Sequence, residues 1–190
     1  MGAGNQQERL SIHEAKRWFL AGFIEGEGSL CVSIKSHPGS RFGWLVDPEF
    51  FLYQHESGRE VLELAREVFG TGRITPKSGN EHVLVFAIAS RRSLMEQVIP
   101  FYENYMPFSA KRPIFERFRE IVYAMEDGKE HLTREGLVRI VRMAYEMNPA
   151  SKGKQRKRTI EEVVERILRD HTPDTSEQVE VKIWSRPLGD

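Results

Sequence analysis

The stretch LAGFIEGEGS, residues 20–29, runs from apolar side chains into two glutamates, Glu25 and Glu27, each followed by a glycine. Ser11 and Glu14 have the pattern of a capping box, so we expect a helix to begin there and to run into this stretch. Both glutamates then stand at the helix C-terminus, where unpaired carbonyls already carry partial negative charge. Acids are unfavourable at that end of a helix, so their presence needs an explanation.

One explanation is that Gly26 and Gly28 simply end the helix and leave both carboxylates in solvent. The rest of the helix argues against it. Ala21 and Gly22, with Gly26 about one turn later, are small enough to let a second helix backbone approach closely. The large side chains around them are apolar: Trp18, Phe19, Leu20, Phe23 and Ile24. This pattern predicts a helix that is buried on all sides, and acids at its end would not be freely solvated.

A divalent cation would account for the two acids. Carboxylate oxygens and a carbonyl at a helix end are ligands that Mg²⁺ or Ca²⁺ prefers. The cation's charge would also keep two neighbouring carboxylates ionised. The chain carries one copy of the stretch, so two such helices can meet around metal only in a homodimer with a twofold axis between them.

Composition excludes several classes of protein. The 190 residues carry 28 basic and 28 acidic side chains, so the formal net charge of zero names no partner. The single cysteine, Cys31, excludes an internal disulfide framework and a cysteine metal cage. No apolar run is long enough to span a membrane, and the N-terminus lacks the pattern of a secretory signal. We therefore expect a soluble intracellular protein without a membrane partner.

Hydrophobic periodicity predicts an α+β protein with the order αββαββα, followed by two more helices. Alternating side chains predict strands at residues 29–36 and 44–57, and a second hairpin follows a helix that ends at Gly70. Ser90 begins the next helical segment, which Pro107 interrupts, and Thr159 with Glu162 forms a capping box for the last helix. The predicted divisions are an N-terminal extension (1–10), a core (11–128), C-terminal helices with a basic loop (129–170) and a polar tail (171–190).

LAGFIEGEGS resembles the motif of the LAGLIDADG homing endonucleases, and its single copy is similar to their homodimeric branch. The predicted αββαββα order matches the family core, and the resemblance covers residues 11–170. It implies a curved antiparallel DNA-binding sheet and a homodimeric, Mg²⁺-dependent endonuclease encoded in a mobile intron. Such an enzyme hydrolyses one phosphodiester per strand across the minor groove of a long pseudo-palindromic target. Mn²⁺ would substitute for Mg²⁺, and Ca²⁺ would bind without supporting cleavage. The compartment would be the cytoplasm or nucleoid of a prokaryote, or an organelle.

The resemblance also assigns residues to the active site. Glu27 matches the acid that binds the catalytic metal, helped by the carbonyl of Gly26. Gln54 matches a polar residue that orders water beside the metal. Lys111 matches a basic residue that stabilises developing charge, with Arg112 as the alternative. Both acids of the motif are glutamate here, where the commonest family pattern has aspartate.

DNA contacts follow from strand alternation together with the resemblance. Residues predicted to face the major groove, or to lie in its adjoining loop, are Ser33, Lys35, His37, Arg41, Glu49, Phe51, Arg73, Thr75, Lys77 and His82. The cations of the run SKGKQRKRT, residues 151–159, match a family loop that grips phosphates: Lys154, Arg156, Lys157 and Arg158. A solvated loop or a nuclear-localisation signal is the alternative for that run. The predicted dimer contacts are Phe19, Ala21, Gly22 and Gly26.

Two other functions fit the same fold. One is an RNA-binding maturase that helps its intron to splice, and the other is a DNA-binding regulator that has lost catalysis. Degenerate relatives often lose the acids, whereas Glu27, Gln54 and Lys111 are all present here. We therefore expect an active DNA endonuclease, with intron RNA as a less favoured partner.

Overall fold

A four-stranded antiparallel sheet, covered on one face by helices, lies at the centre of the molecule. The computed structural model describes residues 11–147 and 158–169. The strands are β1 (Gly28–Ser36), β2 (Trp44–His55), β3 (Arg73–Lys77) and β4 (Asn80–Ile88), in the order β1-β2-β4-β3. Two hairpins therefore meet along β2 and β4, and the predicted α+β class with its paired hairpins is confirmed.

The helices follow the predicted order. They are α1 (Ile12–Glu27), α2 (Arg59–Phe69), α3 (Arg91–Ser93), α4 (Ile99–Asn104), α5 (Lys111–Glu126), α6 (Arg134–Met147) and α7 (Ile160–Leu168). A π-helical turn, Leu94–Val98, joins α3 to α4 and makes residues 91–104 the last helix of the αββαββα core. Three helices follow this segment in the described residues, where two were predicted. The interruption predicted at Pro107 falls between α4 and α5, so α5 is a separate helix.

The two ends of α1 are fixed by different contacts. At its start, Ser11 accepts the backbone N–H of Glu14 at 3.1 Å, and the Glu14 carboxylate accepts the hydroxyl of Tyr105 at 2.9 Å. At its end, the N–H of Gly28 donates to the carbonyl of Ile24, and β1 begins at once. A Cβ at position 28 would lie 2.6 Å from that carbonyl oxygen, so the junction requires glycine.

The prediction that α1 is buried on all sides is wrong for a single chain. Leu20 and Ile24 are buried against the sheet, whereas Trp18 is 46% exposed and Phe19 is 56% exposed. Trp18 still meets the ring of Tyr105 edge-on, with 4.8 Å between centroids. Residues one turn apart share a helix face, so one stripe of α1 packs on the core, and the stripe that carries Phe19 is left exposed by the described residues.

Alternation along the strands separates a core face from an open face. The inward side chains of β2 are all buried: Trp44, Val46, Pro48, Phe50 and Leu52. Buried residues of α5, α6 and α7 join the same hydrophobic cluster. Thr159 and Glu162 form both halves of the predicted capping box of α7. In the described residues, no helix has the length and apolar character needed to cross a bilayer.

Candidate active site and nucleic-acid interface

The C-terminal end of α1 is held by a lysine from a distant part of the chain. Lys111, the first residue of α5, directs its Nζ at three carbonyl oxygens of the α1–β1 junction. Nζ lies 2.6 Å from Gly28 O, 2.9 Å from Ile24 O and 3.4 Å from Gly26 O. A cation is favourable where the helix dipole presents its negative end, so Lys111 stabilises this junction. The contact to Gly26 is the weakest of the three, which leaves that oxygen the most available.

The two glutamates of the junction have different surroundings. Glu25 is half-buried, and its carboxylate accepts the backbone N–H of Ser109 at 3.2 Å. Glu27 is exposed, at the last position of α1. Glu25 therefore ties the segment before α5 to α1, while the Glu27 carboxylate points to the outside of the chain.

The structure distinguishes Lys111 from Arg112. The Nε of Arg112 lies 3.4 Å from the Glu116 carboxylate, on the exposed surface of α5. Lys111 is the residue that reaches the junction. Burial lowers the pKa of Lys111 below its ordinary value, and the negative charges of Glu25 and Glu27 oppose that change.

Gln54 lies beside the same junction. Gly28 pairs with Leu52 across the β1–β2 ladder, and Gln54 is two residues further along β2. Its Oε1 accepts the N–H of His55 at 2.8 Å, and its side chain packs on Gly58, where a Cβ would lie 2.9 Å from Gln54 Cγ. The glycine at 58 thus gives the glutamine side chain its space.

The donor atoms at the junction suit a hard divalent cation. They are the carboxylate oxygens of Glu27 and the carbonyl oxygen of Gly26, which are the oxygen ligands that Mg²⁺ and Ca²⁺ take. In the described part of the chain, no three Asp, Glu, His or Cys side chains cluster closely enough to enclose a metal ion. The oxygens of one chain would fill only part of the coordination shell of a divalent cation. Mg²⁺ is commonly held in this way, by one or two carboxylates together with waters and substrate phosphates.

Most of the predicted DNA-facing residues lie on the open face of the sheet. The register pairs Ser33 with Asp47 and Cys31 with Glu49, and it pairs Phe51 with Ala87 and Thr75 with Val85. The outward set includes six predicted residues: Ser33, Lys35, Glu49, Phe51, Arg73 and Thr75. Lys77 follows a register shift in β3, and its Nζ lies 5.5 Å from the ring centre of the outward Tyr53.

Polar side chains on this face contact one another across the strands. Lys35 Nζ lies 3.0 Å from the Asp47 carboxylate, and the hydroxyl of Ser33 donates to Glu49 at 3.5 Å. Hydrogen bonding to Asp47 raises the pKa of Lys35, and burial opposes it. Any contact of these side chains with DNA has to replace such pairs.

The strand pairing does not test the prediction that His82 shares the face of Arg73 and Thr75. The register shifts between Pro76 and Lys77, and His82 lies beyond the last regular pair of β3 and β4. The ring of His82 stacks on His55 with 6.3 Å between centroids, and its Nδ1 lies 2.8 Å from the Glu56 carboxylate.

The remaining predicted residues lie away from the strands. His37 is in the turn after β1, where its backbone N–H donates to the carbonyl oxygen of Gly43 at 2.8 Å. Arg41 donates to Leu132 O at 3.1 Å, beside the turn before α6. Arg158 holds its guanidinium 5.3 Å from the Trp44 ring centre. Lys154, Arg156 and Lys157 fall outside the described residues.

Sequence patterns did not single out three residues of this region. Tyr53 is outward on β2, and its parity with Phe51 is a signal that would have found it. Ser109, which donates to Glu25, and Tyr102, which lines a cavity beside Lys111, are far from the motif in sequence. They have no periodic relation to it, so only the folded chain brings them to the junction.

Comparison with known proteins identifies the family. The family model described as LAGLIDADG endonuclease matches residues 20–122. DNA endonuclease I-CeuI of Chlamydomonas moewusii is 52% identical over 101 residues, covering 53% of this chain and 46% of that protein. Homing endonuclease I-ApeII of Aeropyrum pernix is 33% identical over 150 residues, covering 78% of this chain and 88% of that protein. The chain thus spans less than half the length of the first relative and most of the second.

Solved structures give the same result. The group I intron-encoded homing endonuclease I-CeuI complexed with DNA superposes with a TM-score of 0.77 at 36% identity, over 84% of this chain and 79% of that one. The archaeal intron-encoded I-Vdi141I complexed with DNA gives a TM-score of 0.74 at 36% identity, over 80% and 94%. With its matching motif, fold and helix-end site, this chain belongs to the LAGLIDADG endonuclease family.

Proposed function

We propose that this protein is a homodimeric, site-specific homing endonuclease that hydrolyses one phosphodiester in each strand of a pseudo-palindromic DNA target. The observation that carries the proposal is the exposed Glu27 carboxylate at the end of α1, beside carbonyls that Lys111 holds in place. Relatives complexed with DNA share the fold over most of the chain, and intron-encoded relatives support a role in intron mobility.

Mg²⁺ is the proposed cofactor. LAGLIDADG nucleases depend on a divalent metal, and here Glu27 and the Gly26 carbonyl would hold it. Bound Mg²⁺ supplies Lewis acidity to a phosphate and makes a nearby water more acidic. Mn²⁺ would take the same oxygen ligands, and Ca²⁺ would bind without supporting cleavage.

The chain's own side chains would orient the reacting groups. Gln54 presents an amide to water beside the α1–β1 junction. Lys111 keeps the helix-end carbonyls fixed and places positive charge next to the phosphate that is attacked, where negative charge develops. Glu25 keeps Ser109, and with it the start of α5, against α1. Each residue therefore orients a group at the phosphate or holds the junction that orients it.

The exposed stripe of α1 supports the homodimer. A Cβ at Gly22 or Gly26 would meet no atom of the described residues within 4 Å. Glycine in a helix interior costs roughly 1 kcal/mol relative to alanine, and no contact among the described residues requires glycine at either position. Phe19 is exposed on the same helix, and Ala21 is half-buried. A second α1 approaching closely along this stripe accounts for the small residues and for the exposed aromatic ring.

DNA would lie on the open face of the sheet, because the major groove of DNA is wide enough to admit a β-ribbon. Ser33, Lys35, Glu49, Phe51, Arg73, Thr75 and Lys77 are proposed as base or backbone contacts. Lys154, Arg156, Lys157 and Arg158 are proposed to bind phosphates and to make affinity salt-dependent.

A cleavage assay tests the activity. Purified protein and Mg²⁺ are incubated with DNA that joins the sequences flanking the open reading frame across its intron. Cleavage of both strands is expected, and EDTA should abolish it. Binding without cleavage under any divalent metal would instead favour a DNA-binding regulator, and preferential binding of the intron RNA would favour a maturase.

The dimer is tested separately with Gly22→Leu. A Cβ at Gly22 meets no described atom within 4 Å, whereas a leucine there would block the approach of a second helix. Sedimentation should show wild-type dimers and variant monomers, with the same circular dichroism spectrum. Leu64→Ala is the control, because Leu64 is a half-buried residue of α2 and its truncation leaves the exposed stripe of α1 unchanged. A monomeric wild type that cuts both strands would refute the proposed assembly.

A further inference from the structure

A small cavity lies between the start of α5 and the α1–β1 junction. Its volume is about 100 Å³, and its lining residues are Gly28, Ser29, Leu30, Tyr102, Lys111 and Ile114. Space of this size holds ordered water when polar groups line it. The cavity adjoins the lysine of the proposed active site, so water inside it would act on that site.

Tyr102 is the most deeply buried polar side chain at this cavity. Only 2% of the residue is exposed. Its ring stacks on Phe115 with 4.9 Å between centroids and meets Phe50 edge-on at 6.1 Å. The ring is therefore fixed between α5 and β2, and the direction of its hydroxyl is fixed with it.

The Tyr102 hydroxyl makes no hydrogen bond to another described residue, and it is not one of the fully buried polar atoms that lack a partner. Its small exposed part can therefore bind water, which pairs polar groups that no protein atom reaches. Burial and the negative charge of Glu25 raise the pKa of Tyr102 well above its ordinary value. The hydroxyl accordingly keeps its proton and is available as a donor.

Lys111 lies on the other side of the cavity. It is one helical turn before Phe115 and shares its face of α5, so the stacked Tyr102 ring supports the turn that carries Lys111. The Lys111 ammonium contacts Gly28 O, and both residues line the cavity. Tyr102, Lys111 and Gly28 all line this space, so water in it would lie between the tyrosine and the lysine–carbonyl pair.

We propose that this cavity holds ordered water linking the Tyr102 hydroxyl to the Lys111 ammonium and its carbonyl partner, and that Tyr102 is a positioning residue for cleavage. The inference rests on the proposed nuclease function. Tyr102 acts through the water by fixing the ammonium, and it makes no contact with DNA.

Two matched variants test the proposal. Tyr102→Phe removes the hydroxyl at the cavity and keeps the stacked ring. Tyr105→Phe removes a hydroxyl that donates to Glu14 at the opposite end of α1. Both are compared with wild type for melting temperature, for DNA affinity in Ca²⁺ and for single-turnover cleavage in Mg²⁺. A ¹⁵N spectrum of the lysine ammonium groups, without DNA or metal, reports on Lys111 directly.

For Tyr102→Phe we expect cleavage to slow about tenfold, the effect of one hydrogen bond, with DNA affinity unchanged. The Lys111 ammonium signal should shift in this variant and stay in place in Tyr105→Phe. Wild-type cleavage rates in Tyr102→Phe, or an unmoved Lys111 signal, would overturn the inference and leave the nuclease function intact. If wild type cleaves no DNA, the nuclease function fails, and the ammonium spectrum still tests the water link.

Discussion

The tip of α1 and the open face of the sheet differ in how the chain holds their polar groups. At the tip, backbone carbonyls and Glu25 are fixed by Lys111 and by a backbone N–H from residues far along the sequence. On the sheet, exposed side chains pair with each other across neighbouring strands, as Lys35 does with Asp47. Such exposed pairs contribute little to stability and exchange readily with other partners.

This difference separates the demands of chemistry from those of recognition. Hydrolysis requires donors and charges that are already in place before the reaction begins, because reorganising them would add to the barrier. Base recognition requires side chains that give up their contacts within the protein for contacts with DNA. The molecule meets the first demand with tertiary contacts to main-chain atoms and the second with exposed side chains on a rigid sheet.

The largest effect is expected from Glu27→Gln, which breaks the tip at its exposed carboxylate. The cleavage rate should fall by more than about 100-fold, because mutating a residue that only hydrogen-bonds to a metal ligand can already lower activity by that factor. DNA affinity in Ca²⁺-free buffer should stay close to wild type, because the sheet face is unchanged. Single-turnover assays and fluorescence anisotropy measure the two quantities. Glu60→Gln, on the exposed surface of α2, is the control; equal cleavage by Glu27→Gln and wild type would remove Glu27 from the site.

Lys111→Met is expected to affect both chemistry and stability. Cleavage should fall about 100-fold, as it does when one preorganised donor at a developing charge is removed. The metal-free protein should also lose about 1–3 kcal/mol of unfolding free energy, since carbonyls at the α1 end lose their donor. Urea titration measures the loss of unfolding free energy.

Arg112→Met is the control. It removes a surface ion pair and should change the unfolding free energy by less than about 0.5 kcal/mol. If Arg112→Met lost as much unfolding free energy as Lys111→Met, the conclusion that only Lys111 holds the α1 carbonyls would be contradicted.

Gly28→Ala tests how tightly the tip is built. A Cβ there would lie 2.6 Å from the Ile24 carbonyl oxygen, so relief of the overlap should cost about 1–3 kcal/mol of unfolding free energy. Ser29→Ala, at the exposed neighbouring position, should cost less than about 0.5 kcal/mol. Equal melting curves for both variants would show that the junction tolerates a side chain.

The smallest effects are expected on the sheet. Asp47→Asn removes a negative charge from the face proposed to meet DNA and frees Lys35 from its pair. Affinity should rise by about 1 kcal/mol or less, the scale of an exposed ion pair, and the gain should shrink with added salt. Lys35→Ala should weaken binding by a similar amount. Anisotropy titrations at several salt concentrations measure both, and a large loss of cleavage in either variant would contradict the separation of tip from sheet.

Local patterns in the sequence determined the hairpins, the helix order and the outward residues Ser33, Lys35 and Phe51, because alternation and helical spacing are properties of adjacent residues. The motif also placed Glu27 at a helix end, since Ser11 and the glycines define where that helix starts and stops. The sequence also marked the interruption at Pro107. The separation of α5 as a full helix and the position of His82 beyond the register shift depended on the packed chain. A short run of residues does not determine either.

Only the tertiary structure decided which partners the motif acquires. Lys111 and Arg112 are adjacent and both carry a positive charge, and the direction of the first turn of α5 brings Lys111 to the α1 carbonyls. Ser109 and Tyr102 reach the junction because the segment from α4 to α5 packs along α1. The exposed stripe of α1 also became visible only once its opposite stripe was packed on the sheet. Contacts between residues some eighty positions apart arise from packing of the whole core, whereas capping and alternation are decided within a few residues.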